Sequence, residues 1–117
     1  MRATNASPRR GDVWLANLDP VRGHEQGGKR PALILSTDSF NTAPSQLVAL
    51  LPLTTRDRGL PIHVRLTPPE GGLLRPSVIL CDQLRIASHE RLDRKLGQVS
   101  PMTLAAVGDV VRRILGL

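Results

Sequence analysis

Gly23-His24-Glu25-Gln26-Gly27-Gly28-Lys29-Arg30-Pro31 runs without a break into Ala32-Leu33-Ile34-Leu35. The first nine residues read as a charged loop and the next four as an apolar strand. Three glycines in the first six positions let the backbone turn sharply and approach a ligand closely. A plain connection has no need of a carboxylate, an amide and two cations together. Because a strand follows at once, Arg30 and its neighbours are expected at the rim of a rigid sheet, where functional side chains tend to sit.

Outward from this junction the chain reads as short strands. Residues 11–18 form the first, with Val13 and Leu15 alternating with Asp12 and Trp14. Asp19-Pro20 is a turn signal. Residues 38–45 read as a connection with room for one helical turn. Residues 46–54 are apolar on both faces at Leu47-Val48-Ala49-Leu50-Leu51, so this strand is expected to be central and buried. Pro52 cannot donate to a ladder, so pairing is expected to weaken there. Residues 62–66 alternate, which sets His63 and Arg65 outward as solvated side chains. Residues 77–81 read as a second buried strand, continued with alternation through 82–86. Residues 89–94 read as a polar segment and 96–99 as a last short strand.

Ser100-Pro101 is a helix start, with Ser as N-cap and Pro in the first turn. Leu104, Val107, Val111 and Ile114 then make one apolar stripe. Many short strands before a single terminal helix predict a mostly β fold, a small antiparallel barrel capped by the helix. Residues 1–8 read as a disordered extension and 9–117 as one domain.

The net charge is +6, and 14 of the 16 cations are Arg. The planar guanidinium fork suits phosphate, so the balance favours a polyanionic partner. Trp14 and Phe40 are the only aromatic residues. Trp14 is the one large stacking surface available, if it is not part of the core. Any reading of a nucleic-acid sequence must therefore rest mainly on hydrogen bonds and shape. Cys81 stands alone, which excludes an internal disulfide, and its apolar run marks it as a buried thiol. No apolar run is long enough for a membrane helix and no signal peptide is visible. A cytoplasmic location away from membranes is expected.

Arg10-Gly11-Asp12-Val13-Trp14, Glu25-Gln26-Gly27-Gly28-Lys29-Arg30-Pro31, Pro52-Leu53-Thr54 and Asp82-Gln83-Leu84-Arg85 occur in this order. Together they resemble the MazF/PemK family of toxin endoribonucleases, from Arg9 to the terminal helix. The resemblance implies an SH3-like barrel, a homodimer, and metal-independent, sequence-specific cleavage of single-stranded RNA. It also implies an antitoxin partner whose acidic, disordered tail occupies the RNA groove. The family's catalytic Arg falls on Arg30 and its catalytic Thr on Thr54, while Glu25 matches an acidic site position. Gln83 matches a position implicated in substrate contact. Around these, His24, Gln26, Gly27, Gly28, Lys29, Arg85 and Trp14 are the candidate substrate-binding residues.

The residues themselves bear on the chemistry. The sequence carries no His pair at helical spacing, no Cys pair and no carboxylate cluster, so neither a metal nor another cofactor is expected. Phosphodiester cleavage then needs another nucleophile, and RNA brings its 2′-hydroxyl. The products would be a 2′,3′-cyclic phosphate and a 5′-hydroxyl. Arg30 would hold the scissile phosphate and neutralise the charge growing on it. Thr54 would donate to the same phosphate, and Glu25 would accept the 2′-hydroxyl proton. His24, next to Glu25, is a second candidate for titration there. Read singly, Arg30 and Glu25 fit an ordinary loop ion pair and Thr54 a strand-end cap. Two other readings of the chain stand beside the nuclease: a gyrase inhibitor resembling CcdB on the same fold, and an interaction module using a sheet edge.

Overall fold

The computed structural model describes residues 7–20 and 23–117. The expected disordered extension lies, over residues 1–6, outside the described residues, and Pro8 at its end is buried. Seven strands are described: β1 (Asp12–Asn17), β2 (Lys29–Ile34), β3 (Leu47–Thr54), β4 (His63–Leu66), β5 (Ser77–Leu80), β6 (Arg85–Ser88) and β7 (Leu92–Gln98). A short helix α1 (Asp38–Asn41) follows β2, and α2 (Pro101–Leu115) ends the chain.

All described pairings are antiparallel. The strand order is β4-β5-β3-β2-β1-β7, with β6 also on β3. β4 and β7 end the path and do not pair with each other, so the expected barrel is an open sheet. No described helix is long and apolar enough to cross a membrane.

Alternation in the central strands builds two cores. Val13, Leu33, Leu51 and Leu53 point to the face covered by Val107, Val110 and Val111 of α2. Trp14, Ala16, Ala32, Ile34, Val48 and Leu50 point to the other, where Ala87 of β6 and Leu92 of β7 close over them. This is why 46–54 reads as apolar on both faces: each face of β3 meets its own cover.

β3 does not fail at Pro52. Ala32 still faces Pro52, and from Leu53 onward the strand pairs with β5 instead. The proline sits where the partner changes, so its missing N–H does not interrupt the strand. The expected continuation of the 77–81 strand is broken by a 3-10 turn, Cys81–Gln83, after which β6 turns back onto β3. β7 is longer than the expected 96–99 strand. Its Asp93-Arg94-Lys95 run is exposed, which an edge strand tolerates and which hides its strand character from hydropathy.

Ser100 caps α2 by accepting from the N–H of Thr103 at 3.1 Å, and Gly116 ends it in the left-handed region at φ 75°. The buried stripe is Val107, Val110 and Val111. Ile114, expected in the stripe, is 43% exposed, because the last turn is left uncovered in a single copy of the chain.

Two glycines are fixed by close backbone approach. A Cβ on Gly72 would lie 1.9 Å from the carbonyl oxygen of Leu96, and one on Gly97 would lie 2.5 Å from the nitrogen of Gly72. No other residue fits where the Glu70–Gly72 turn crosses β7.

Candidate active site

Arg30 is the second residue of β2 and Thr54 the last of β3. The β2–β3 pairing ends at Ala32 and Pro52, and the Arg30 side chain reaches the carbonyl of Leu53, the residue before Thr54. The Arg30 guanidinium is pinned on two sides, donating from Nε to the carbonyl of Gly27 at 2.8 Å and from Nη1 to that of Leu53 at 3.4 Å. Gly27 adjoins Gln26 and Leu53 adjoins Thr54. Thr54 Oγ1 accepts from the N–H of Arg56 at 3.2 Å, so the hydroxyl proton is what it can offer a ligand.

The loop is held at both ends. The N–H of Gln26 donates to Oε1 of Gln83 at 2.8 Å, which ties it to the Cys81–Gln83 turn. The N–H of Gly28 donates to Oδ1 of Asp19 at 2.8 Å, with Gly28 at φ 74°. A Cβ there would meet nothing within 4 Å, so the backbone angle alone calls for glycine.

Two adjoining cavities open beside this loop. One, of about 260 Å³, is lined by His24, Gln26, Thr54, Arg56, Arg58, Leu60, His63, Leu80, Asp82 and Gln83. The other, of about 370 Å³, is lined by His24, Glu25, Gln26, Pro52, Asp82, Gln83, Leu84 and Arg85. His24, Gln26, Asp82 and Gln83 form the shared wall. Among the described residues no group of three or more His, Cys, Asp and Glu stands close enough to hold a metal ion.

The structure thus brings His24, Glu25, Gln26, Gln83, Arg85 and Thr54 to the walls of two adjoining cavities, while Arg30 and Gly27 line neither and stand next to them through the Gly27 and Leu53 carbonyls. Arg85 is anchored as well, its Nη1 donating to the carbonyl of Leu18 at 3.1 Å. Lys29 lines neither cavity and pairs with Asp93 of β7 at 3.1 Å. Trp14 is 3% exposed, with Nε1 donating to Asp12 at 3.2 Å, so its ring is a core element and offers no stacking face.

Asp12 explains the Arg10–Trp14 motif in structural terms. Its buried carboxylate accepts from the N–H of Arg9 at 2.8 Å, from Trp14, and from Gln98 at 3.4 Å, and it pairs with Lys95 at 3.2 Å. These contacts join the start of β1 to β7.

Three charged or titratable lining residues, Arg56, Arg58 and His63, escape a reading of the sequence. Arg56 and Arg58 sit on a loop shaped by Asp57, whose carboxylate accepts from the N–H of Gly59 and from Arg65, both at 2.8 Å. Those bonds, the Gly59 one foremost, hold the Asp57 carboxyl below its ordinary range. Asp82 adjoins Gln83 and was legible as part of the same motif. His63 is not the solvated residue that strand alternation predicts. Its side chain is only 5% exposed and its Nε2 lies 3.1 Å from Oδ1 of Asp82. Asp82 of the Cys81–Gln83 turn meets His63, while Arg65 further along β4 stays exposed as alternation predicts.

Beside Asp82, burial pushes the Cys81 thiol up to about 11, with the charge of Asp82 adding to the effect. Such a thiol stays protonated at neutral pH and is no nucleophile.

Comparison with known proteins gives the family of the chain. Residues 9–115 match the family model described as PemK-like, MazF-like toxin of type II toxin–antitoxin system. The chain is 38% identical over 110 residues to the endoribonuclease MazF of Staphylococcus saprophyticus, covering 93% of this chain and 92% of that one. It superposes on the crystal structure of MazF from Deinococcus radiodurans with a TM-score of 0.87 at 32% identity, over 97% of this chain and 100% of that one. It also matches a mycobacterial endoribonuclease solved with its cognate antitoxin, at TM-score 0.79 and 27% identity, over 95% and 97% of the two chains. A family match across nearly the whole chain, on a fold that gathers the expected residues round one loop, makes this chain a member of the PemK-like, MazF-like toxins of type II toxin–antitoxin systems.

Proposed function

We propose that the chain is a sequence-specific, metal-independent endoribonuclease that cleaves single-stranded RNA with the RNA's own 2′-hydroxyl as nucleophile. The observation that carries this reading is the Arg30 guanidinium held between the carbonyls of Gly27 and Leu53, next to Thr54 and to cavities lined by Glu25, His24, Gln26 and Gln83. The relative that is 38% identical is itself an endoribonuclease, which favours this reading over gyrase inhibition.

In the reaction, Glu25 or His24 removes the 2′-hydroxyl proton as the oxygen attacks phosphorus. Arg30 neutralises the charge gathering on the phosphoryl oxygens, and Thr54 donates its hydroxyl proton to one of them. The part of the guanidinium is electrostatic. The 5′-oxygen leaves as the P–O5′ bond breaks and takes a proton from water, and the products are a 2′,3′-cyclic phosphate and a 5′-hydroxyl. Arg56, Arg58 and Arg85 attract the flanking phosphates.

The same basic surface suits a cognate antitoxin with an acidic tail, which would block RNA by occupying its groove. The mycobacterial relative solved with its antitoxin supports that partner. A homodimer in the cytoplasm completes the reading, with the uncovered end of α2 as an apolar surface for contact. Incubation with a long RNA in the presence of EDTA, followed by mapping of the ends, tests it. Cleavage at a defined sequence is expected; intact RNA, or cleavage only with added metal, would count against it.

A further inference from the structure

His63 belongs to β4, an edge strand, where it faces Leu80 of β5. Its imidazole is nonetheless almost wholly enclosed, with Nε2 on Oδ1 of Asp82 at 3.1 Å and a buried Nδ1 that has no partner among the described residues. This pattern fixes the neutral tautomer. A proton on Nδ1 would strand a buried donor and set two acceptors against each other. A proton on Nε2 satisfies the contact and leaves only an unpaired acceptor. The imidazole therefore donates to Asp82 and sets the direction of its carboxylate.

Asp82 lines both cavities, and its Oδ2 makes no hydrogen bond among the described residues. A carboxylate among Arg56, Arg58 and Arg85 is the wrong charge to receive a phosphate. It is an acceptor, and on a nucleotide the matching donors are amino and imino N–H groups at the base edge. We propose that His63 is a specificity-positioning residue that holds Asp82 as a fixed acceptor beside Thr54, where Asp82 selects one nucleotide by the N–H groups of its base. The inference rests on the RNA reading of this site, but it concerns selection and not bond cleavage.

A randomised 2′-O-methyl RNA pool, which cannot be cleaved through a 2′-hydroxyl, tests it by selection of bound sequences. Wild type is expected to enrich one base at one position. Asp82→Asn and His63→Leu should both lose that enrichment by about tenfold, the low end for a lost base contact. His63→Gln, which returns a donor near the Nε2 position, should restore it. Enrichment that persists in His63→Leu or in Asp82→Asn would overturn the proposal, as would a His63→Gln protein no better than His63→Leu. A wild type that selects from this pool yet leaves ordinary RNA intact would sink the nuclease reading and leave the selective pair standing.

Discussion

The Nε of Arg30 donates to the carbonyl of Gly27 at 2.8 Å, so the cation of the candidate site is fastened to the loop beside it. The bond sets the guanidinium at the end of β2 before any ligand arrives. Pre-organised charge of this kind needs no reorientation during reaction, which is where electrostatic catalysis draws its strength.

Removing that charge separates chemistry from folding. Arg30→Ala should cut the cleavage rate by about 10²–10³-fold, taking a lost oxyanion donor as the guide. Stability should fall by only about 1–2 kcal/mol for two lost hydrogen bonds to carbonyls. Single-turnover cleavage and urea unfolding read the two effects. A folded variant cleaving at the wild-type rate would remove Arg30 from the mechanism.

Asp12 should behave in the opposite way. Asp12→Ala removes the buried acceptor shared by Arg9, Trp14, Gln98 and Lys95. The expected loss is about 3 kcal/mol, the scale for breaking a buried charged network. Cleavage by the fraction that stays folded should be unaffected, since no cavity of the candidate site includes Asp12. Urea midpoints combined with activity per folded molecule check it.

Gly97→Ala should be among the most damaging single-methyl changes in the chain. The added carbon would sit 2.5 Å from the backbone nitrogen of Gly72, and neither strand nor turn can yield cheaply. A loss of about 4 kcal/mol or more is expected. Gly108→Ala, whose added carbon would meet only a side-chain atom of Arg112 at 3.7 Å, should be neutral or stabilising by about 0.5–1 kcal/mol. Thermal unfolding of the two variants makes the comparison.

Glu70 predicts a response to acid. Its carboxylate accepts from the N–H of Ser100 at 2.8 Å and from Thr103 Oγ1 at 2.7 Å, clasping the start of α2. These bonds, the Ser100 N–H foremost, hold its carboxyl below the ordinary 4.5. A carboxyl lowered in the folded state adds stability above its unfolded value and loses it as pH falls. Glu70→Gln should therefore cost about 1 kcal/mol at pH 7, and the gap to wild type should close below pH 4.5. Unfolding curves across acid pH read it.

Cys81 predicts the alkaline side. Its thiol is raised from 9.0 to about 11 by burial, so the unfolded chain loses the proton first. Wild-type stability should decline as pH rises between those two values, and Cys81→Ala should flatten that slope. The native thiol should also resist alkylation at pH 8 until urea unfolds the chain.

The sequence showed the loop, the central strand and the capped helix clearly, because each has a local cause. Glycine and charge mark residues 23–28, unbroken apolar character marks β3, and Ser100-Pro101 marks the helix start. The misread parts depend on what lies opposite. His63 looks solvated by alternation and is buried against Asp82 of the Cys81–Gln83 turn. Trp14 looked able to serve a ligand and is held inside by Asp12. β7 hides behind Asp93-Arg94-Lys95 because an edge strand need not be apolar. Most of the site was legible as residue types, but His63, Arg56 and Arg58 joined it only through the fold.

The central claim is that the substrate's own 2′-hydroxyl breaks the chain. The direct measurement is cleavage of an oligoribonucleotide carrying the mapped site, set against the same oligonucleotide with a single 2′-deoxy substitution at the attacking ribose. The account predicts cleavage of the first, with a 2′,3′-cyclic phosphate end, and none of the second. Equal cleavage of both would contradict it.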